Sequence, residues 1–168
     1  MSKATGPIYT VHFRRRIEGK TDYEKRLAHL KSRKYRMIVR KTNKYIIVEF
    51  ASFDLKGDQV ITSSTSRALL KIGYPGKSNT PSAYLVGLLC AKNAMKKGVT
   101  EAVLDIGLHP ATKGSIVFSA LKGALDAGVK IPYSEDILPP KDRIEGLHLK
   151  GDGNSKFNEC KEKIQKMQ

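Results

Sequence analysis

Acidic residues are scarce in this chain: sixteen Asp and Glu stand against 31 Lys and Arg in 168 residues, a formal charge of +15. The shortage excludes chemistry as well as setting charge. A two-metal nuclease needs several carboxylates within a few ångströms of one another, normally including one on the first strand. Here the first predicted strand offers Arg36 and Arg40, and only Asp105 occupies a plausible strand position, where it is expected to end the strand by bonding to backbone. Histidines and cysteines are equally sparse. His12, His29, His109 and His148 have no zinc-like spacing, and Cys90 and Cys160, far apart and each on an apolar helix face, read as reduced packing residues of a cytosolic protein. No Ser or Cys nucleophile has an identifiable His and acid partner, so neither an enzyme nor a cofactor is expected. No run approaches the roughly 18 apolar residues of a spanning helix. The opening Met-Ser-Lys-Ala-Thr-Gly-Pro lacks the apolar core of a secretory signal, so no membrane partner and no export are expected. There is no internal repeat and no low-complexity tract.

What the chain does have is positive charge, and it is concentrated. Between Phe13 and Lys44 lie thirteen Lys and Arg against Glu18, Asp22 and Glu24, a local +10 and two thirds of the whole. Such density repels itself unless a polyanion is bound, and a triple arginine, Arg14 to Arg16, favours phosphate over a solvated Lys/Glu face because each guanidinium fork can grip two oxygens. Nucleic acid is the partner this pattern predicts. Tyr9, Tyr23, Tyr35, Tyr45 and Tyr74 lie in or near basic sequence, where each can stack on a base or serve as core or rim.

With 40% apolar residues, the length suits one globular core with extensions. After a charge-poor tail with Gly6 and Pro7, Thr21 and Glu24 predict a capping box opening a short helix, with Tyr23, Leu27 and Leu30 as its apolar stripe. From Tyr35 the period changes to two. Tyr35–Arg40, Tyr45–Phe50 and Gln59–Thr62, separated by turns at Thr42-Asn43 and Lys56-Gly57-Asp58, predict a three-strand antiparallel meander. An irregular connection is expected across Thr62–Ser66 and Gly73–Ser78. Thr80 as cap and Pro81 as first residue open a helix that Gly98 ends. Ala102–Ile106 is a short buried strand, and a helix from about Ser115 stops at Gly128. A Pro-interrupted strap, Ile131–Lys150, holds the acidic cluster of Glu135, Asp136, Asp142 and Glu145. Gly151–Gly153 is a predicted hinge before a basic helix with Phe157, Cys160, Ile164 and Met167 on one stripe.

The fold class is therefore α/β: a mixed sheet built from the meander followed by helix, strand and helix, with a basic N-terminal arm and a C-terminal extension. The division expected is 1–34 for the arm and short helix, 35–131 for an RNA-binding core, and 132–168 for strap and terminal helix. Gly76-Lys77-Ser78 imitates the end of a nucleotide-binding loop, but Lys71 stands where its first glycine belongs and no apolar strand feeds it. The same loop suits an RNA backbone better.

Phe13-Arg14-Arg15-Arg16, Glu18-Gly19-Lys20-Thr21-Asp22-Tyr23 and Val39-Arg40-Lys41-Thr42-Asn43-Lys44 together resemble the universal 5S-rRNA-binding family of the large ribosomal subunit, known as L-eighteen in bacteria and L-five in eukaryotes. Asp105-Ile106-Gly107-Leu108, Lys113-Gly114, Ala120–Gly128 and Asp142-Arg143-Ile144 with Gly146 and His148 extend the resemblance along nearly the whole chain. Ile17 and His12 depart from it, so position 17 is left out of the phosphate contacts. Strap and tail exceed a bacterial member, and the long eukaryotic C-terminal extension is missing, which implies the archaeal type.

The resemblance implies a structural ribosomal protein of the central protuberance that attaches 5S rRNA to the large-subunit rRNA beside neighbouring ribosomal proteins. Under that reading Arg14, Arg15, Arg16, Lys20 and Arg26 neutralise packed phosphates of both RNAs. Arg36, Arg40, Lys41, Asn43 and Lys44 grip 5S RNA around the first hairpin, and Lys71, Tyr74, Lys77, Ser78 and Asn79 form a second contact. The alternative is a general RNA-binding protein or RNA chaperone. An RNA-processing enzyme lacks carboxylates, and a scaffold for acidic proteins is disfavoured by Arg-rich charge.

Overall fold

The computed structural model describes residues 6–149 and 153–166. The β-branched, period-two segments form Tyr35–Lys41 (β1), Ile46–Ser52 (β2) and Gln59–Thr65 (β3), and the fourth strand is Ala102–Asp105 (β4). Their order is β3-β2-β1-β4, with β1 antiparallel to β2 and parallel to β4. This is the expected mixed sheet. Successive side chains leave opposite faces, so Met37 and Val39 point into the core while Arg36, Ile38 and Arg40 share the other face.

Two helices cover the core face. Thr80–Lys96 (α3) and Ile116–Ala127 (α4) pack on the sheet and on each other, and α3 is buried along most of its length. Their backbones touch. A Cβ on Gly87 would lie 2.1 Å from the Ala120 carbonyl oxygen, and one on Gly123 would lie 2.2 Å from that of Tyr84. Two short helices precede the sheet, Arg14–Ile17 (α1) and Tyr23–Lys31 (α2), and neither buries a residue. Of the expected apolar stripe of α2, Tyr23 and Leu30 are half-buried and Leu27 is exposed.

Three local expectations are corrected. The cap of α2 is Asp22, whose carboxylate accepts from the amides of Glu24 and Lys25; those bonds hold its pKa below the ordinary value, the Lys25 amide contributing most. Thr21, one residue too early, accepts from Arg15 Nε at 2.8 Å instead. Likewise Asn79, not Thr80, caps α3 by accepting from the Ser82 amide at 3.0 Å. The connection after the meander is more regular than expected, since β3 continues to Thr65 and Ser66–Ile72 winds into a 3-10 helix ended by Gly73 in the left-handed region.

The strap lies on its own domain. Ile137 and Leu138 pack against the core, Lys141–Glu145 (α5) buries Ile144, and the Gly114 amide donates to the Ile137 carbonyl at 2.9 Å. Gly153–Lys166 (α6) buries Phe157, Cys160 and Ile164, with the Phe157 ring 5.6 Å from that of Tyr84 on α3. Of the expected hinge Gly151–Gly153, Gly153 opens α6, whereas Gly151 and Asp152, like Met167 of the stripe, fall outside the described residues. Both cysteines are free and buried. No helix among the described residues is long and apolar enough to cross a membrane.

Candidate nucleic-acid interface

Two basic loops meet at one end of the sheet. The β1–β2 turn closes on Thr42, whose amide donates to the Tyr45 carbonyl at 2.8 Å while its hydroxyl accepts from the Tyr45 amide at 2.9 Å. The loop before α3 is pinned to it, because the Ser78 hydroxyl donates to the Thr42 carbonyl at 2.9 Å. Lys41, Asn43 and Lys44 thus share a rim with Lys77 and Ser78, which were expected as separate contacts. Gly76 allows the approach: a Cβ there would sit 2.2 Å from the Ser66 carbonyl oxygen. Asn79 contributes differently from the expectation, since its side-chain oxygen is occupied in capping α3. Lys71 is exposed on the 3-10 helix.

The arm supplies a second group of cations. Phe13 packs its ring 4.9 Å from Tyr23, fixing α1 against α2. Arg14 and Lys20 both pair with Glu18, at 3.2 and 2.8 Å. Arg15 is oriented by Thr21. Among the described residues Arg15, Arg16, Lys41, Lys44, Lys71 and Lys77 meet no carboxylate, so their charge is available to a polyanion.

Three arginines expected to meet RNA are instead engaged by acids distant in the chain. Arg26 forks onto Asp58 of the β2–β3 turn at 3.1 to 3.2 Å. Arg36 is only 2% exposed, with Nη2 2.5 Å from Asp58 Oδ2 and Nη1 3.4 Å from Asp105 Oδ2. Arg40 Nη2 lies 2.9 Å from Asp105 Oδ1, and its Nη1 donates to the Asp105 and Val39 carbonyls. Arg40 remains partly exposed; Arg36 does not, and its side chain is withdrawn from any external ligand. Tyr74 is also withdrawn: it is 2% exposed, and burial pushes its hydroxyl pKa up to about 12.

Asp105 is the centre of this network. Its carboxylate also accepts from the Gly107 amide at 2.8 Å and lies 3.9 Å from His29 Nδ1 on α2. Burial opposes its ionisation, but the Arg40 charge and hydrogen bond, the Gly107 amide and His29 together keep its pKa below the ordinary value. The expected strand-end bond to backbone is present, while the ion pairs went unforeseen. Their signal lay in the first strand: arginines at positions four apart share one sheet face and require carboxylates nearby. Among the described residues no group of His, Cys, Asp and Glu suits a metal ion.

The chain matches, over residues 8–101 and 94–134, the family model described as ribosomal large subunit proteins 60S L5 and 50S L18. It belongs to that family. The L5/L18 relatives are close and extend over most of the chain. Large ribosomal subunit protein uL18 of Korarchaeum cryptofilum is 59% identical over 142 residues, which cover 84% of this chain and 73% of that one. The uL18 of Methanoregula boonei is 52% identical over 147 residues, 87% of this chain and 84% of that one. That of Methanothermobacter thermautotrophicus is 49% identical over 147 residues, 87% and 77% of the two chains. Membership of the L5/L18 family of the archaeal type makes the protein a structural component of the large ribosomal subunit and sets the enzymatic readings aside.

Proposed function

We propose that the protein binds 5S rRNA and attaches it to the large-subunit rRNA in the central protuberance, beside neighbouring ribosomal proteins. The observation that carries this reading is the junction of the two basic loops, in which Ser78 on Thr42 gathers Lys41, Lys44 and Lys77 at one rim without an acid among them. Together with Arg15, Arg16 and Lys71 they are the expected contact residues whose charge no carboxylate among the described residues meets. Recognition then rests on backbone, shape and 2′-hydroxyls, since the A-form major groove is too narrow for side chains to read. Arg14, Lys20, Arg26 and Arg40 reach phosphate only by sharing or exchanging their present carboxylates, whereas Arg36 and Tyr74 support the platform from within.

The test is a competition titration of labelled 5S rRNA against excess tRNA at several salt concentrations. With ~6 phosphates neutralised, affinity should fall by ~10³ between 50 and 200 mM salt on the duplex slope, and by less for single strands. Survival of the 5S complex against tRNA supports the assignment. Displacement by tRNA at equal concentration leaves a general RNA-binding protein in its place.

A further inference from the structure

At the other end of the sheet lies a cavity of about 630 Å³ that the basic loops do not touch. It opens between the end of α2, the start of β1, the end of β2 and the residues leading into β4. Since β1 has seven residues, it stands about 20 Å from the Thr42 turn at ~3.3 Å per residue. Its walls combine three kinds of group. Tyr35 and Phe53 are large aromatics left 38% and 51% exposed on one cavity. Arg33 and Lys34 stand at the same cavity, and no carboxylate among the described residues pairs with Arg33. Ser52, Thr100 and Glu101 add hydroxyl and carboxylate groups.

The backbone there is held in an unusual shape. Arg33 has φ +52°, the one positive φ outside glycine among the described residues. The turn is fixed by its own hydrogen bonds: the Ser32 hydroxyl donates to the His29 carbonyl at 2.6 Å and accepts from the Lys34 amide at 3.3 Å. Lys34 is held in turn by Glu101 at 2.7 Å. A left-handed arginine is retained at a cost, and strain of this kind gathers where a side chain must be presented in a set direction.

We infer that this cavity receives one unpaired RNA base, stacked on Phe53 or Tyr35, with Arg33 on the adjoining phosphate. Exposed rings beside cations bind single-stranded nucleic acid because every base has a π-face and every nucleotide a charge. Ser52, Thr100 and Glu101 then face the base edge, Glu101 as an acceptor for an amino group. The site rests on the RNA-binding reading but is separate from its phosphate rim, so the two can fail separately.

The chain has no tryptophan but seven tyrosines, so Phe53→Trp places in the cavity the sole tryptophan, which excitation beyond the tyrosine absorption band reads selectively. Leu55→Trp, two residues on and 92% exposed, places one outside it. Both full-length variants are titrated with 5S rRNA to saturation, with complex formation followed independently by mobility shift. The fluorescence of Phe53→Trp should be quenched and that of Leu55→Trp should not; Phe53→Ala should weaken binding about 5- to 150-fold, the range for removing one base–aromatic stack, with the salt slope unchanged. A saturated complex with no quenching at 53, or with equal quenching at both positions, overturns the base site and leaves the phosphate rim standing. Absence of any 5S complex with the unsubstituted protein overturns the RNA reading and this site with it.

Discussion

Asp105 holds together parts of the protein that are far apart in sequence. One buried carboxylate meets Arg36 and Arg40 of β1 and the Gly107 amide beyond β4, with His29 of α2 within ion-pair distance. Arg36 has little to spare: its Nε has no acceptor, and its Nη2 faces Asp58 without hydrogen-bond geometry. Asp105→Asn leaves that buried guanidinium with one acid instead of two, and breaking a buried pair from one side costs about 3–5 kcal/mol. A loss of about 3 kcal/mol in urea unfolding, with an unchanged slope, is the expected result. The same carboxylate makes stability depend on pH. Its folded pKa lies below the unfolded value of about 3.9, so its contribution is complete above that value and disappears as pH falls through the folded one. Acid unfolding followed by circular dichroism below about pH 4 should therefore be shallower in Asp105→Asn than in the native protein, and parallel curves would assign the pH dependence to other carboxylates.

The helices show how far local pattern reaches and where it stops. The meander, β4 and the two core helices were legible because hydrophobic period and turn residues are local properties. Caps were misplaced by one residue because Thr21 and Asp22, or Asn79 and Thr80, compete as neighbouring acceptors, and only the path of the chain selects between them. Of the expected site residues, the exposed cations are where local charge put them, whereas the burial of Arg36 and Tyr74 depends on Asp58, Asp105 and tertiary packing. The close approach of α3 to α4 was similarly hidden, since a glycine inside a helix carries no hydrophobic signal. Gly123→Ala discriminates between the two effects. Helix propensity alone would stabilise by about 1 kcal/mol. With the Tyr84 carbonyl 2.2 Å from the new methyl, overpacking of about 1–3 kcal/mol or more should reverse that sign. A lower melting temperature is expected, about 2–4 °C for each kcal/mol of destabilisation in a domain of this size; a higher one would mean that the helices can separate without penalty.

Across the whole molecule, the basic segment is less self-repelling than its composition implies. Seven of its thirteen cations (Arg14, Lys20, Lys25, Arg26, Lys34, Arg36 and Arg40) have a carboxylate in reach. Asp58, Glu101 and Asp105, which supply four of them, lie outside the segment and become neighbours only when the sheet forms. Folding thus sorts the charge: one part locks α2 and β1 to the sheet, and the remainder stays open. The arm belongs to the open part, since α1 buries nothing and touches the rest through the Phe13–Tyr23 ring pair and the Arg15–Thr21 bond. Replacing Arg14, Arg15 and Arg16 together by Ala should accordingly leave the unfolding free energy within about 0.5 kcal/mol, as for surface changes remote from the core. RNA affinity should fall, and the slope of log K against log salt should shrink by up to about 3, near 0.9 for each duplex phosphate that the arm no longer neutralises. Calorimetry and the salt titration separate the alternatives: an unchanged slope with no thermal transition would make the arm part of the fold, whereas a reduced slope over an intact transition makes it the part of the molecule that folding leaves for RNA.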